Sequence, residues 1–136
     1  MITGGCLCGA VRFRATEGPI AARICWCRDC QKLGAGGPAV SAAFKTASVT
    51  IAGALSDYAS TADSGNKMHR RFCSKCGSHL FSEAEVRPHL IFIRVGALDD
   101  PTVAKPGATI WTDSAPSWAS IDPNLPNFKK QPPPVA

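Results

Sequence analysis

Arg71-Phe72-Cys73-Ser74-Lys75-Cys76-Gly77 sets two thiols three positions apart and follows them at once with glycine, the composition of a tight turn whose sulfurs face one point. Working outward from it, the chain holds two further close sets, Cys6-Leu7-Cys8-Gly9 and Cys25-Trp26-Cys27-Arg28-Asp29-Cys30. Neighbouring thiolates at such spacings can turn onto one ion without straining the backbone. Gly9, Lys32 and Gly77 follow the clusters, which suits turns that aim backbone N–H groups at sulfur. Seven cysteines are an odd number, so complete disulfide pairing is impossible. In a reducing compartment close sets of this kind point to zinc before disulfides.

Between the clusters the chain is punctuated by 12 Gly and 11 Pro and shows no sustained apolar repeat of 3.6. Long helices are not expected. Strand-like runs fall at Val11–Arg14, Ala39–Phe44, Ser48–Ile51, Lys67–Phe72, His79–Phe81, His89–Val95 and Thr109–Trp111, with one helical turn at Asp29–Leu33. These elements describe a mostly β, largely antiparallel single domain over residues 1–131. From Asp113 onward, prolines at 116, 123, 126, 132, 133 and 134 exclude a regular central strand. Residues 132–136 are expected to form a frayed tail.

A length of 136 residues fits one domain, and 45% apolar with 18% charged residues is a globular composition. The longest uncharged stretch, Leu33 to Phe44, is far short of the roughly 20 residues that a helical span requires. The first residues lack the basic and apolar regions of a secretory signal, and a cytoplasmic location is expected. The net charge of +5 raises nucleic acid as a partner. The basic residues are scattered, however, and only seven residues are Phe or Tyr, too few for a stacking platform. A mild positive field equally favours a small anion.

Seven sulfurs arranged two, three and two fit a four-ligand structural zinc and a three-ligand zinc with an open position. Two partitions compete. Cys6, Cys8, Cys73 and Cys76 can close one site and leave Cys25, Cys27 and Cys30 as the other; alternatively Cys27, Cys30, Cys73 and Cys76 form a ribbon, which strands Cys6, Cys8 and Cys25. Spacing favours the first but leaves both open. Under the first, a zinc with three thiolates carries a formal charge of about −1 and is a weak Lewis acid. Such a centre is better suited to capturing a substrate thiol as thiolate than to making hydroxide.

Gly4-Gly5-Cys6-Leu7-Cys8-Gly9-Ala10-Val11-Arg12-Phe13, the Cys25-x-Cys27-x2-Cys30-x-Lys32 cluster, Arg71-Phe72-Cys73-x2-Cys76-Gly77 and Leu125-Pro126-x-Phe128 resemble, in order and spacing, the glutathione-dependent formaldehyde-activating enzyme family, which includes the centromere protein V-type domains. The resemblance implies a β-tent of antiparallel strands with two Zn2+ per chain. Cys6, Cys8, Cys73 and Cys76 would hold a structural zinc, and Cys25, Cys27 and Cys30 a catalytic one. The activity it implies is S-(hydroxymethyl)glutathione synthesis from glutathione and formaldehyde, classed as a carbon–sulfur lyase read in reverse. The family usually has histidine where this chain has Trp26, whose indole would instead wall the pocket beside the open metal position. His79 and Asp29 are secondary candidates, for which a strand role and a cap or turn role are the expectations. Trp111 and Trp118 are expected in the core or at its rim.

Overall fold

The computed structural model describes all residues, 1–136. The expected strands are present with boundaries shifted by up to three residues: β2 (Arg12–Ala15), β4 (Ala39–Lys45), β5 (Val49–Ala52), β7 (Lys67–Cys73), β8 (His79–Ala84), β9 (Leu90–Arg94) and β10 (Ala108–Ile110). Three more were not expected: β1 (Ile2–Gly5), β3 (Ala21–Cys25) and β6 (Leu55–Thr61). The one α-helix, α1, spans Arg28–Leu33.

The strands form a three-stranded sheet, β1-β2-β5, and a seven-stranded sheet, β10-β3-β4-β9-β8-β7-β6. Every pair is antiparallel except β10, which runs parallel to β3. The Leu125-Pro126-x-Phe128 segment covers the outer edge of β10. Thr109 N–H donates to the Pro126 carbonyl and Phe128 N–H to the Thr109 carbonyl, both at 2.9 Å, so an otherwise open edge is satisfied without a regular strand.

The core lies between the sheets. Val11, Phe13 and Ala15 from the β2 side meet Ala42 and Phe44 of β4, Leu80 and Phe81 of β8, and Ile91 and Ile93 of β9, and all are buried. Phe13 and Phe81 cross edge to face with ring centroids 5.3 Å apart. Each of the buried Val, Leu, Ile and Phe side chains contributes about 1.5–3 kcal/mol relative to exposure, the alanines less. Strand alternation then turns Arg23, Ser41, Phe92, Arg94, Ser82 and Arg70 to the opposite face of the large sheet, where a cavity opens.

Segment 131–136 has no regular secondary structure. It nonetheless lies against the body, since Pro132 is buried, Arg23 donates to the Pro133 carbonyl at 3.3 Å, and Trp111 Nε1 donates to Gln131 Oε1 at 2.9 Å. No helix is long and apolar enough to cross a membrane.

On the outer edge, His69 of β7 stands between Asp57 of β6 and Glu85, with Nδ1 to Oδ2 at 2.6 Å and Nε2 to Oε2 at 2.9 Å. These hydrogen bonds and both negative charges raise the imidazole's pKa above 6.5. Because the folded value is the higher one, His69 contributes stability that is complete below pH 6.5 and is lost as the pH rises through the folded value. An NMR titration of the imidazole should place its midpoint above 6.5. Asp57→Asn with Glu85→Gln should bring it back down, and an unperturbed midpoint in the parent chain would contradict the assignment.

Candidate metal centres and the cavity beside them

The structure gathers the cysteines as four and three. Cys6, Cys8, Cys73 and Cys76 have their Sγ atoms within 4.8 Å of one another, and so do Cys25, Cys27 and Cys30. The ribbon alternative is not formed.

In the four-cysteine cluster, Cys6 and Cys8 follow β1, while Cys73 ends β7 and Cys76 lies in the turn to β8. The two turns are alike: Gly9 N–H donates to the Cys6 carbonyl at 3.2 Å, and Gly77 N–H to the Cys73 carbonyl at 2.9 Å. Both glycines have positive φ, 81° and 76°, which a side chain would resist. The sulfurs are 3.6 Å apart between Cys6 and Cys8 and 3.8 Å between Cys8 and Cys73. A tetrahedral zinc with bonds of about 2.3 Å requires sulfurs about 3.8 Å apart, so the donor set fits that ion. Backbone N–H groups of Val11, Lys75 and Cys76 point at sulfur from 3.2 to 3.4 Å. The Ser78 hydroxyl lies 3.1 Å from Cys76 Sγ and, with the Ser78 N–H, lowers that thiol's pKa to about 5. Such donors stabilise thiolate, the form a metal binds.

The three-cysteine cluster is built where β3 runs into α1. Cys25 ends the strand, Cys27 caps the helix by accepting the Cys30 N–H at 3.3 Å, and Cys30 lies in the first turn. Gln31, buried, fixes this corner: its Nε2 donates to the Trp26 carbonyl at 2.7 Å and to the Ser114 carbonyl at 2.9 Å. Hydrogen bonds from Cys25 and Cys30, the Cys30 N–H and the charge of Arg70 all lower the pKa of Cys27. Cys25 is pushed up by its two sulfur neighbours and by burial. Three sulfurs around one point, with one already favoured as thiolate, form a donor set that zinc suits.

The trio borders the cavity on the large sheet. Its lining adds Arg23, Arg70, Arg87 and Arg94 against one carboxylate, Asp63. Trp111 also lines it, in a left-handed backbone conformation with φ of 58°. That conformation costs roughly 1–2 kcal/mol in a bulky residue.

Trp26 does not wall this cavity, which corrects the expectation. It is 3% exposed and packs edge to face on Trp118, ring centroids 6.2 Å apart. With Cys25 and Cys27 both turned to the trio, the residue between them faces away, as alternation demands. Trp111 supplies the indole instead. Trp118 is 70% exposed on its far side, at the rim rather than in the core. Asp29 lies 3.5 Å from Arg70 as an ion-pair partner. His79, a strand residue, accepts from Arg94 Nε at 2.8 Å, and burial together with Arg94 and Arg70 lowers its pKa to about 3, so it stays neutral. The arginines are what the sequence reading missed; Arg94, charged within the apolar run His89–Val95, was the visible signal.

Fold and site define a small two-sheet β-domain whose cysteines form two metal-competent clusters, one closed and one beside a basic cavity. The family model of the glutathione-dependent formaldehyde-activating enzymes matches residues 1–114, and the chain belongs to that family. A Halomonas elongata protein bearing the family's name is 30% identical over 128 residues, covering 90% of this chain and 82% of that protein. A crystal structure of a Rhodobacter sphaeroides protein shares the fold with a TM-score of 0.57, at 20% identity over 93% of this chain and 98% of that one.

The two clusters should respond differently to mutation. Cys73, 1% exposed and part of the main core, joins parts of the chain 65 residues apart. Cys73→Ser should leave the chain largely unfolded by circular dichroism, as loss of a structural zinc does. Cys27→Ser should keep a cooperative thermal transition, and equal stability of the two variants would contradict the division of roles.

Proposed function

We propose that the chain is a zinc-dependent enzyme of the carbon–sulfur lyase type that joins a small thiol, glutathione or a relative, to a small aldehyde such as formaldehyde. Membership of the family carries the thiol and the aldehyde. The observation that carries the site is the cysteine trio opening onto a cavity with four arginines. Cys25, Cys27 and Cys30 would hold the zinc, and Cys6, Cys8, Cys73 and Cys76 a second, structural one.

Bound there, zinc supplies an open coordination position that keeps a substrate thiol ionised at neutral pH. The chain's residues do the rest. The arginines offset the charge of the thiolates and of an anionic substrate, and the sheet face with Trp111 and Phe92 gives the substrate an apolar bed. The substrate sulfur attacks the carbonyl carbon, the carbon–sulfur bond forms as the carbonyl π-bond breaks, and the oxygen takes up a proton. The thiol has given up one proton and the product hydroxyl has gained one, so the sum is simple addition. In reverse the sulfur leaves as thiolate.

A second reading, a non-catalytic zinc-stabilised module that binds a thiol or a partner protein, is favoured by the absence of histidine from the cavity lining and by position 26 facing Trp118. Exchange NMR separates the two. The zinc-loaded protein should speed exchange between free glutathione and its hydroxymethyl adduct above the rate in buffer. Cys27→Ser should remove that acceleration by more than the about 10–100-fold typical of losing an outer-shell partner of a metal. Thiol binding without acceleration would establish the module, and full acceleration by folded Cys27→Ser would overturn the assigned centre.

A further inference from the structure

Arg94 is held on the cavity floor entirely by neutral side-chain partners. Arg70 has Asp29 at 3.5 Å, and Arg71 on the neighbouring strand face has Glu83 at 3.3 Å. Arg23, Arg87 and Arg94 enter none of the chain's ion pairs, and of these three cavity arginines Arg94 alone donates to side chains. It sits in the last position of β9, partly buried, on the floor of the cavity. Its contacts are all to neutral groups: Nε donates to His79 Nδ1 at 2.8 Å, Nη1 to the Ser41 hydroxyl, and Nη2 to the Ser82 hydroxyl at 3.2 Å.

A guanidinium has five N–H groups, and these contacts use three. One N–H remains on each Nη, the pair that can grip both oxygens of a carboxylate. Ser41 and Ser82 accept from Arg94 through their oxygens and keep their own protons free to donate. His79 is neutral, so nothing on that side of Arg94 balances its charge. Four cationic groups line the cavity against Asp63 and the Asp29 beside Arg70, so even a three-thiolate zinc of charge about −1 leaves the balance positive. Burial makes an unbalanced charge costly, and an anion entering the cavity relieves that cost.

We propose that Arg94, with the hydroxyls of Ser41 and Ser82, forms a carboxylate-binding subsite beside the cysteine trio, and that this subsite selects acidic thiols over neutral ones. That the occupant is a thiol rests on the function proposed above. The carboxylate subsite rests on Arg94 and its partners.

The probes are 3-mercaptopropionate, 2-mercaptoethanol and propionate, titrated into zinc-loaded full-length protein by calorimetry and NMR. Mercaptopropionate should bind about tenfold or more tightly than mercaptoethanol, as a charge-assisted contact in a partly buried site provides. In Arg94→Gln that ratio should fall to near one. Propionate, which has no sulfur, should still shift the resonances of Ser41 and Ser82 in the parent protein. If propionate does so while neither thiol binds, the subsite stands and the thiol function fails. If both thiols bind equally to the parent protein, the subsite fails and the thiol function stands. Should Arg94→Gln not fold, Ser41→Ala combined with Ser82→Ala takes its place: a reduced ratio supports the proposal and an unchanged ratio overturns it.

Discussion

The four sulfurs of Cys6, Cys8, Cys73 and Cys76 are the constraint on which the rest of the structure depends. They join the β1–β2 turn of the small sheet to the β7–β8 turn of the large one, across 65 residues of sequence. A chain of 136 residues has a modest core, and its central strands carry alanines at 22, 42 and 43, which bury little area each. A metal held by the four sulfurs would cross-link the two sheets and supply order that side-chain packing of this kind does not. The turns are shaped for it, with Gly9 and Gly77 in left-handed backbone and N–H groups directed at sulfur. Ser78 adds a contact between the two turns, accepting the Leu7 N–H at 3.0 Å.

With one face of the large sheet committed to that core, the other face is free to carry chemistry. The trio stands at one end of it because β3 runs directly into α1, and Gln31 holds that junction against the segment near Ser114. The arginines arrive from separate strands, Arg23 from β3, Arg70 from β7 and Arg94 from β9, and alternation alone puts them on one surface. Their charge acts on the sulfurs: Arg70 helps to lower the pKa of Cys27, and Arg94 is coupled to all three cysteines. Family membership names a thiol and an aldehyde, and the cavity's electrostatics agree with an anionic thiol.

Much of this was legible in the residues. Sulfur spacing separated the clusters, strand alternation in Val11–Arg14 marked β2, and the apolar run His89–Val95 marked β9. The missed strands had no local signal. Ile-Thr-Gly-Gly becomes β1 only because Gly4 fits against Phe13 and the Ala97 carbonyl, where an added Cβ would come within 2.4 Å of either. β6, Leu-Ser-Asp-Tyr-Ala-Ser-Thr, is a largely exposed edge strand held by β7, so it needs no apolar alternation. The three cysteine sets were readable and the resemblance chose between the two partitions that spacing left open, whereas the cavity was not legible, since its lining comes from residues as distant as Ala21 and Val135. Trp26 is adjacent to two ligands in sequence yet faces away from the pocket, because neighbouring side chains in an extended segment point to opposite sides.

The cysteine trio is proposed as a standing thiol-capturing centre distinct from the four-cysteine cluster. Native mass spectrometry of protein purified without chelators, titrated with glutathione, tests it most directly. Two zinc ions per chain and a glutathione complex that retains both are expected. One tightly held zinc and no glutathione complex would contradict it.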